Sequence, residues 1–471
     1  MFRRFCILIV TWGMVFLGGS AVFAQPATEL EALKDQADAA YRERDFPKSI
    51  QLCNQVLGQA ATDHVALYLR GSSRVELGIA VGDVEQVRQG IADAREAIKQ
   101  EGNGKAEYYL PYIYGMSHLA ALEGKVVHAQ TARTVADSVL DREDLTPAQR
   151  ANLYYQRAQA NMQLRDFPAA ETDLGESLKL DPKHLAALMM RADLTARSKT
   201  PSEAYTAYSQ VVEQFPDNPL TYNNRGMFLQ SQGKVPEALA DFAKAIQVDQ
   251  NFIPAHINRG YALLESGDSA GAEAALTQVL TMDPKQIGAI SLRGAARLNQ
   301  GKTAEALADY RQVTALVPQN PMAFADLGFA QFFTQDFAGA LASFNAALKI
   351  ENKMRFLLPW KLACEMRLQQ IDLPSYQEIL AKPEESRDWV DHLLLFQLGK
   401  LDATQMLKGA GANPDTHARD AQLCEGYYFI GVELQRRSRG SDAQAYFKKA
   451  IEKPLPKLSA FRGAKIALSQ P

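Results

Sequence analysis

"NNRGMFLQSQGKVPEALADFAKAI", residues 223–246, decides the fold because its landmarks return at a fixed interval. Gly226 is followed by Gly260, Gly294 and Gly328, each 34 residues after the last, in "NNRGMFL", "INRGYAL", "SLRGAAR" and "ADLGFAQ". Twelve residues beyond each glycine stands Ala238, Ala272, Ala306 or Ala340, and four further on Phe242, Leu276, Tyr310 or Phe344. Upstream, Ala158 and Ala192 replace the glycine, while Ala170 and Ala204 keep the second small position. Six units in one register therefore cover residues 151–352. Self-similarity at this period marks a stacked repeat architecture. Within a unit the apolar residues recur at helical spacing, as Leu239, Phe242, Ala243 and Ile246 do in "ALADFAKAI". Two antiparallel helices approach closely only where a side chain is absent or a single methyl, so each unit is predicted to be a helical hairpin with Gly226, Gly260, Gly294, Gly328 and the four alanines as its contact points.

These positions resemble the tetratricopeptide repeat. Tyr154, Tyr222 and Phe324 fill the fourth place of their units, the small residues the eighth and twentieth, and Pro182, Pro216, Pro284 and Pro318 the thirty-second. The resemblance implies an all-α fold, a right-handed superhelical solenoid of hairpins, here with a C-terminal helical cap. Proline ends each second helix, since it lacks an N–H and restricts the residue before it. No hairpin buries both its faces alone, so neighbours must stack. Arg157, Arg191, Arg225, Arg259 and Arg293 hold the seventh place, and Asp173, Asp241 and Asp309 the twenty-third in alternate units. An internal ladder of ion pairs is expected, each carboxylate meeting the arginine of its own unit or the next. The triplet Gly301-Lys302-Thr303 ends like a phosphate-cradling loop, but Ala296 stands where that motif needs glycine and no strand precedes it. Gly301 also follows Gly267 by 34 residues, so a solvated turn between two helices is expected there.

The flanks are looser. "AYRERDFPKSIQLCNQVL" (40–57) reads as a turn and second helix, and "ALYLRGSSRVELG" (66–78) as the next first helix. Gly90 to Ala94 then come about seven residues late, which suggests a longer turn around Gly82 to Gln89. A third irregular unit runs from about Tyr108 to Leu140, with Ala129 and Ala136 as its small residues. Residues 25–150 thus form irregular units, and residues 353–471 a helical region in which "KGAGANPDTHARD" (408–420) reads as a loop. Its last hairpin, "CEGYYFIGVELQRRSRGSDAQAYFKKAI", again sets Gly431 and Ala443 twelve apart, followed by Phe447.

Arg3 and Arg4 precede an apolar stretch ending Val22-Phe23-Ala24, the pattern of a secretory signal over residues 1–24 with no lipid-bearing Cys after it. A periplasmic or secreted protein without a membrane tether is expected. Without that segment 49 basic face 54 acidic residues, and no basic groove for nucleic acid emerges. The end is the exception: Arg436, Arg437, Arg439, Lys448, Lys449, Lys453, Lys457, Arg462 and Lys465 outnumber Asp442 and Glu452, as either a solvated cap or an anion-binding patch. Cys53, Cys364 and Cys424 remain, and Cys364 could bridge Cys424.

Nothing predicts catalysis, a metal or a cofactor. His118 and His128 lack the helical spacing of a metal site, Ser117 in "GMSHL" lacks the second glycine of a nucleophile elbow, and His256 stands where Tyr154 and Tyr222 pack. The repeat resemblance implies a curved inner surface lined by the second, fifth, ninth, twelfth and thirteenth places. It is polar at Asn152, Gln159, Gln163, Asp193, Arg197, Asn223, Gln230 and Ser231. It turns apolar at Ile257, Tyr261, Leu264, Leu298, Met322, Phe329, Phe332 and Phe333, a candidate partner-binding face unless residues 353–471 fold back over it. Residues 355–468, through "RDWVDHLLLFQLGKLDATQML" and "SAFRGAKIAL", further resemble NlpI-like envelope lipoproteins of bacteria. That resemblance implies a non-enzymatic adaptor, often homodimeric, that docks protein partners; a peptidoglycan-binding accessory protein is the alternative.

Overall fold

A computed structural model describes residues 29–102, 105–455 and 458–469, so the expected signal at 1–24 lies outside the described residues. Among the described residues every regular element is helical, and no helix is long and apolar enough to cross a membrane. The chain divides after Pro216 into two units, each a stack of antiparallel helical hairpins.

The hairpin of Pro219–Ser231 and Val235–Val248 shows why these residues form these elements. The Asn218 side chain accepts from the Leu220 N–H, and Pro219 occupies the first turn, where no donor is needed. Gly233 closes the helix at φ +74°, left-handed backbone that glycine adopts without strain. A Cβ on Gly226 would lie 2.7 Å from the Phe242 ring, and on Gly328 2.6 Å from Phe344. Gly260 is as tight against Leu276, at 2.7 Å, whereas Gly294 leaves 3.2 Å to Tyr310. Ala238, Ala272, Ala306 and Ala340 are fully buried across the same seam. The small residues therefore set the helix–helix distance.

The ion pairs form inside alternate hairpins. Arg157, Arg225 and Arg293 donate to Asp173, Asp241 and Asp309, sixteen residues on, at 2.5, 2.7 and 2.7 Å. Arg297 adds a second guanidinium to Asp309 at 2.8 Å, and Asn161 an amide to Asp173 at 2.9 Å.

In residues 29–216 five hairpins follow one another from Glu29 to Gln214. The second departs from expectation. Its extra seven residues do not loop out; the helices His64–Val81 and Val84–Gln100 are joined by Gly82 and Asp83, with Gly82 at φ +72°. They run to 18 and 17 residues, where the regular helices have about 14, so the insertion adds roughly one turn to each at 3.6 residues per turn. Whole turns leave the buried faces in phase, and Arg70 still reaches Asp93, now 23 residues away, at 2.7 Å.

In residues 217–471 four hairpins end at Ile350 and a helical cap follows. "KGAGANPDTHARD" is a correction: helices Ala403–Gly411 and Thr416–Arg436 occupy most of it, leaving 412–415 as the link. Its glycine serves close packing, since a Cβ on Gly409 would meet the His392 ring at 3.0 Å. The last hairpin is as read, with Gly431 against Phe447 at 2.5 Å for an added Cβ. Cys53, Cys364 and Cys424 are buried free thiols, so the bridge between Cys364 and Cys424 is absent.

Candidate partner-binding surfaces

Half of the apolar face expected to receive a partner is core. Leu298, Phe329, Phe332 and Phe333 keep 5 to 7% of their surface. Trp360, on the helix Leu358–Leu368, stands 5.0 Å from the Phe329 ring, 5.3 Å from Phe332 and 5.8 Å from Phe333. Gly463, on Ser459–Ser469, lies so close to Phe333 and Tyr428 that an added Cβ would sit 2.6 and 2.7 Å from them. Met322 packs against this core, and Ile257 and Leu264 against a neighbouring one; both sets are half-buried, as is Tyr261. Helices Leu358–Leu368 and Ser459–Ser469 fold back over Phe329, Phe332 and Phe333, removing apolar surface from water at about 25 cal/mol per Å².

The corresponding positions of residues 29–216 carry a different arrangement. First helices lie side by side, so equal places of successive hairpins form a row; Gln159 and His118, both at the ninth place, meet at 2.6 Å. Burial pushes His118 down to about 4, so the ring is neutral and the Gln159 amide donates to Nε2, leaving the ring proton on Nδ1. Tyr114 meets this imidazole edge-on at 4.5 Å. Next in the row is Glu76, whose carboxyl burial pushes up to about 7 against the pull of Arg44. Its Oε2 is shut off from water and has no hydrogen-bond partner, and the same holds for Gln159 Oε1. Burial first, then the nearby Glu76 charge, raises the hydroxyls of Tyr41, Tyr114 and Tyr155. The Glu76 charge thus reaches three tyrosine hydroxyls. Farther along, Tyr208 donates to Asp193, whose carboxyl burial raises despite that bond and Arg197. Sequence reasoning named Gln159 and Asp193 but missed Tyr41, Ser72, Glu76 and Tyr114, because the lining places were assigned only where the 34-residue register is strict, from residue 151 on.

With this geometry in hand, the family model described as Tetratricopeptide repeat matches residues 155–219, 223–287 and 292–353. The chain carries tetratricopeptide repeats. It is similar to "DnaJ homolog subfamily C member 7 homolog" of Schizosaccharomyces pombe, 22% identical over 241 residues, covering 48% of this chain and 50% of that protein. It is equally similar, at 22% over 219 residues, to "Hsp70-Hsp90 organizing protein" of Triticum aestivum, covering 46% of this chain and 35% of that protein. The chain therefore spans half or less of the length of these curated relatives. Among solved structures it is similar to pilF of Pseudomonas aeruginosa, with a TM-score of 0.38 and 20% identity, covering 43% of this chain and 92% of that one. PilW, a type IV pilus biogenesis factor, aligns with a TM-score of 0.36 and 23% identity over 45% of this chain and 94% of its own.

The remaining candidates of the tetratricopeptide array are structural. Gly301 is a left-handed turn at φ +74°, and Lys302 is not merely solvated but pairs with Glu273 of the preceding hairpin at 2.7 Å. Ser117 is fully buried in the helix Tyr109–Glu123, and His256 is buried with Nε2 at 2.9 Å from the Gln250 carbonyl. The basic end is largely engaged. Arg436 and Arg437 hold Glu433 at 2.7 and 2.6 Å, Arg439 holds Asp442 at 2.6 Å and Lys453 holds Asp420 at 2.5 Å. Lys449 lies over Tyr446 at 5.1 Å and Lys465 over Phe461 at 5.8 Å.

Proposed function

We propose that this chain is an exported, non-enzymatic scaffold of a bacterial cell envelope, and that protein partners dock on the first-helix row of residues 29–216. The observation that carries this reading is the pair of enclosed, unmatched polar atoms Glu76 Oε2 and Gln159 Oε1, with the hydroxyls of Tyr41, Tyr114 and Tyr155 within reach of the Glu76 charge. A buried polar atom left unpaired costs about 1–3 kcal/mol, which rotation of the half-buried Glu76 and Gln159 side chains onto a docked peptide's N–H groups would recover. Tyrosine is among the residues that most often anchor an interface. The Triticum aestivum relative is named an Hsp70-Hsp90 organizing protein, in keeping with protein docking. Export rests on the arginines and apolar stretch of residues 1–24. The glycan alternative loses its support, because most cations of the basic end are already paired or packed on rings.

A photo-crosslinking residue at Asp193 should yield protein adducts from envelope extracts that the same residue at Lys179, exposed on a second helix, does not. Glu76→Ala should diminish those adducts while the helical circular dichroism is kept. Equal yields at both positions, or adducts indifferent to Glu76, would refute the docking row. Export is checked separately by the intact mass of the native protein, which should begin at Gln25.

A further inference from the structure

Within residues 217–471 a cavity of about 270 Å³ opens beside the seam that closes the apolar face. Its walls include Phe332, Phe337, Tyr428, Val432 and Ile466, with Arg367 among them. The volume lies just below the roughly 300–1,000 Å³ of sites for drug-sized ligands, so it suits something smaller.

Arg367 is the anomaly in this pocket. Its guanidinium rests over the Phe337 ring at 5.4 Å, and one Nη2 donates to the Val432 carbonyl at 3.3 Å. Nε is shut off from water without a partner. Among the described residues no carboxylate pairs with it. Glu433, the acid whose charge reaches it, is held by Arg436 at 2.7 Å and by Arg437 at 2.6 Å. Burial, followed by the neighbouring Arg436 charge, lowers the Arg367 pKa, the mark of a cation lacking its counter-ion. Arginine cannot escape by losing its proton, so the deficit persists until an anion arrives. A planar guanidinium favours a carboxylate, which takes two parallel N–H donors. The aromatic and aliphatic walls ask for an apolar body behind it.

We propose that this cavity binds a small monocarboxylate with an apolar tail, the carboxylate set against the Arg367 guanidinium and the tail along Phe332, Tyr428 and Ile466. The site is separate from the docking row and stands whether or not that row takes a partner.

Isothermal calorimetry of the full chain with octanoate tests it, with octanamide as the neutral probe of equal length. Octanoate should bind saturably at one site, and octanamide about tenfold more weakly or worse, the worth of one charge-assisted contact. Arg367→Gln should bring octanoate down to the level of the amide. Ile466→Trp, which fills the mouth from a half-buried position, should abolish binding of both with an unchanged melting curve. Equal affinity for the two probes, no saturable binding of octanoate, or octanoate affinity unaltered in Arg367→Gln would overturn the proposal. Should Arg367→Gln fail to fold, Ile466→Trp decides alone: undiminished octanoate binding there overturns it.

Discussion

The eighth place of the repeat offers a test in which one substitution has two outcomes. Gly328 and Gly294 occupy the same position of successive hairpins, both inside first helices. Replacing either by Ala gains up to about 1 kcal/mol of helix propensity. The opposing term differs. At Gly328 the new methyl would sit 2.6 Å from Cε1 and 2.7 Å from Cδ1 of Phe344. Carbon atoms rest at about 3.5–4.0 Å, so the ring or the helix must move by roughly 1 Å. Phe344 has no exposed surface and meets Phe329 at 5.4 Å, so it has nowhere to go. With the ring fixed, the overpacking falls in the upper part of the usual range, about 2–3 kcal/mol, leaving Gly328→Ala destabilised by about 1–2 kcal/mol net. At Gly294 the methyl meets Tyr310 at 3.2 Å and asks for a few tenths of an ångström. There the two terms nearly cancel, and Gly294→Ala should fall within about 0.5 kcal/mol of the parent. Thermal unfolding followed by circular dichroism should separate the variants by about 2–8 °C, at roughly 2–4 °C per kcal/mol. Hydrogen exchange across Pro321–Phe333 and Phe337–Ile350 should locate the loss in Gly328→Ala. Equal stabilities, or a greater loss at Gly294, would refute the claim that inter-helix distance explains the periodic glycines.

The ion-pair ladder makes a parallel contrast, because Asp241 pairs with Arg225 alone among the described residues while Asp309 holds both Arg293 and Arg297. Arg225→Ala should cost about 1–3 kcal/mol in urea denaturation by leaving a buried carboxylate unmatched, and Arg293→Ala visibly less; equal losses would count against the ladder. Glu76 predicts a pH dependence. Its carboxyl titrates near 7 in the fold against an ordinary 4.5, so the folded state holds the extra proton and stability falls as pH rises from about 4.5 to about 7. His118, depressed to about 4 from 6.5, acts in the opposite sense and withdraws stability as pH falls through that interval. Glu76→Gln should remove the loss on the alkaline side and leave the acid side unchanged. Melting temperatures across pH 4 to 8 check this, and a Glu76→Gln curve parallel to the parent would contradict it.

The hairpins from residue 151 to 352 were legible because their information is local and periodic: Gly226 needs its small neighbour twelve residues on and its ring sixteen on, and both lie in one string. The second hairpin was half-legible. Its delay of seven residues was plain, yet a longer loop and two longer helices have the same length. Only the packing chooses, and lengthening by whole turns keeps Arg70 over Asp93. Glu76 went unseen because the lining places follow from the strict 34-residue register, which begins only at residue 151. The cap was illegible for another reason. Phe329, Phe332 and Phe333 lie on a first helix in a pattern that serves an open groove and a covered core equally well, and the covering segment begins some thirty residues later at Trp360. One residue nonetheless held the answer. "SAFRGAKIAL" spends a glycine in the middle of a short helix, at a cost of about 1 kcal/mol relative to alanine. Such a glycine is kept where something presses on it, and Gly463 is pressed by Phe333 and Tyr428. The rule that assigned Gly226 to a helix seam, applied to Gly463, assigns the last helix to a seam as well; the apolar face is the surface within the chain left to receive it.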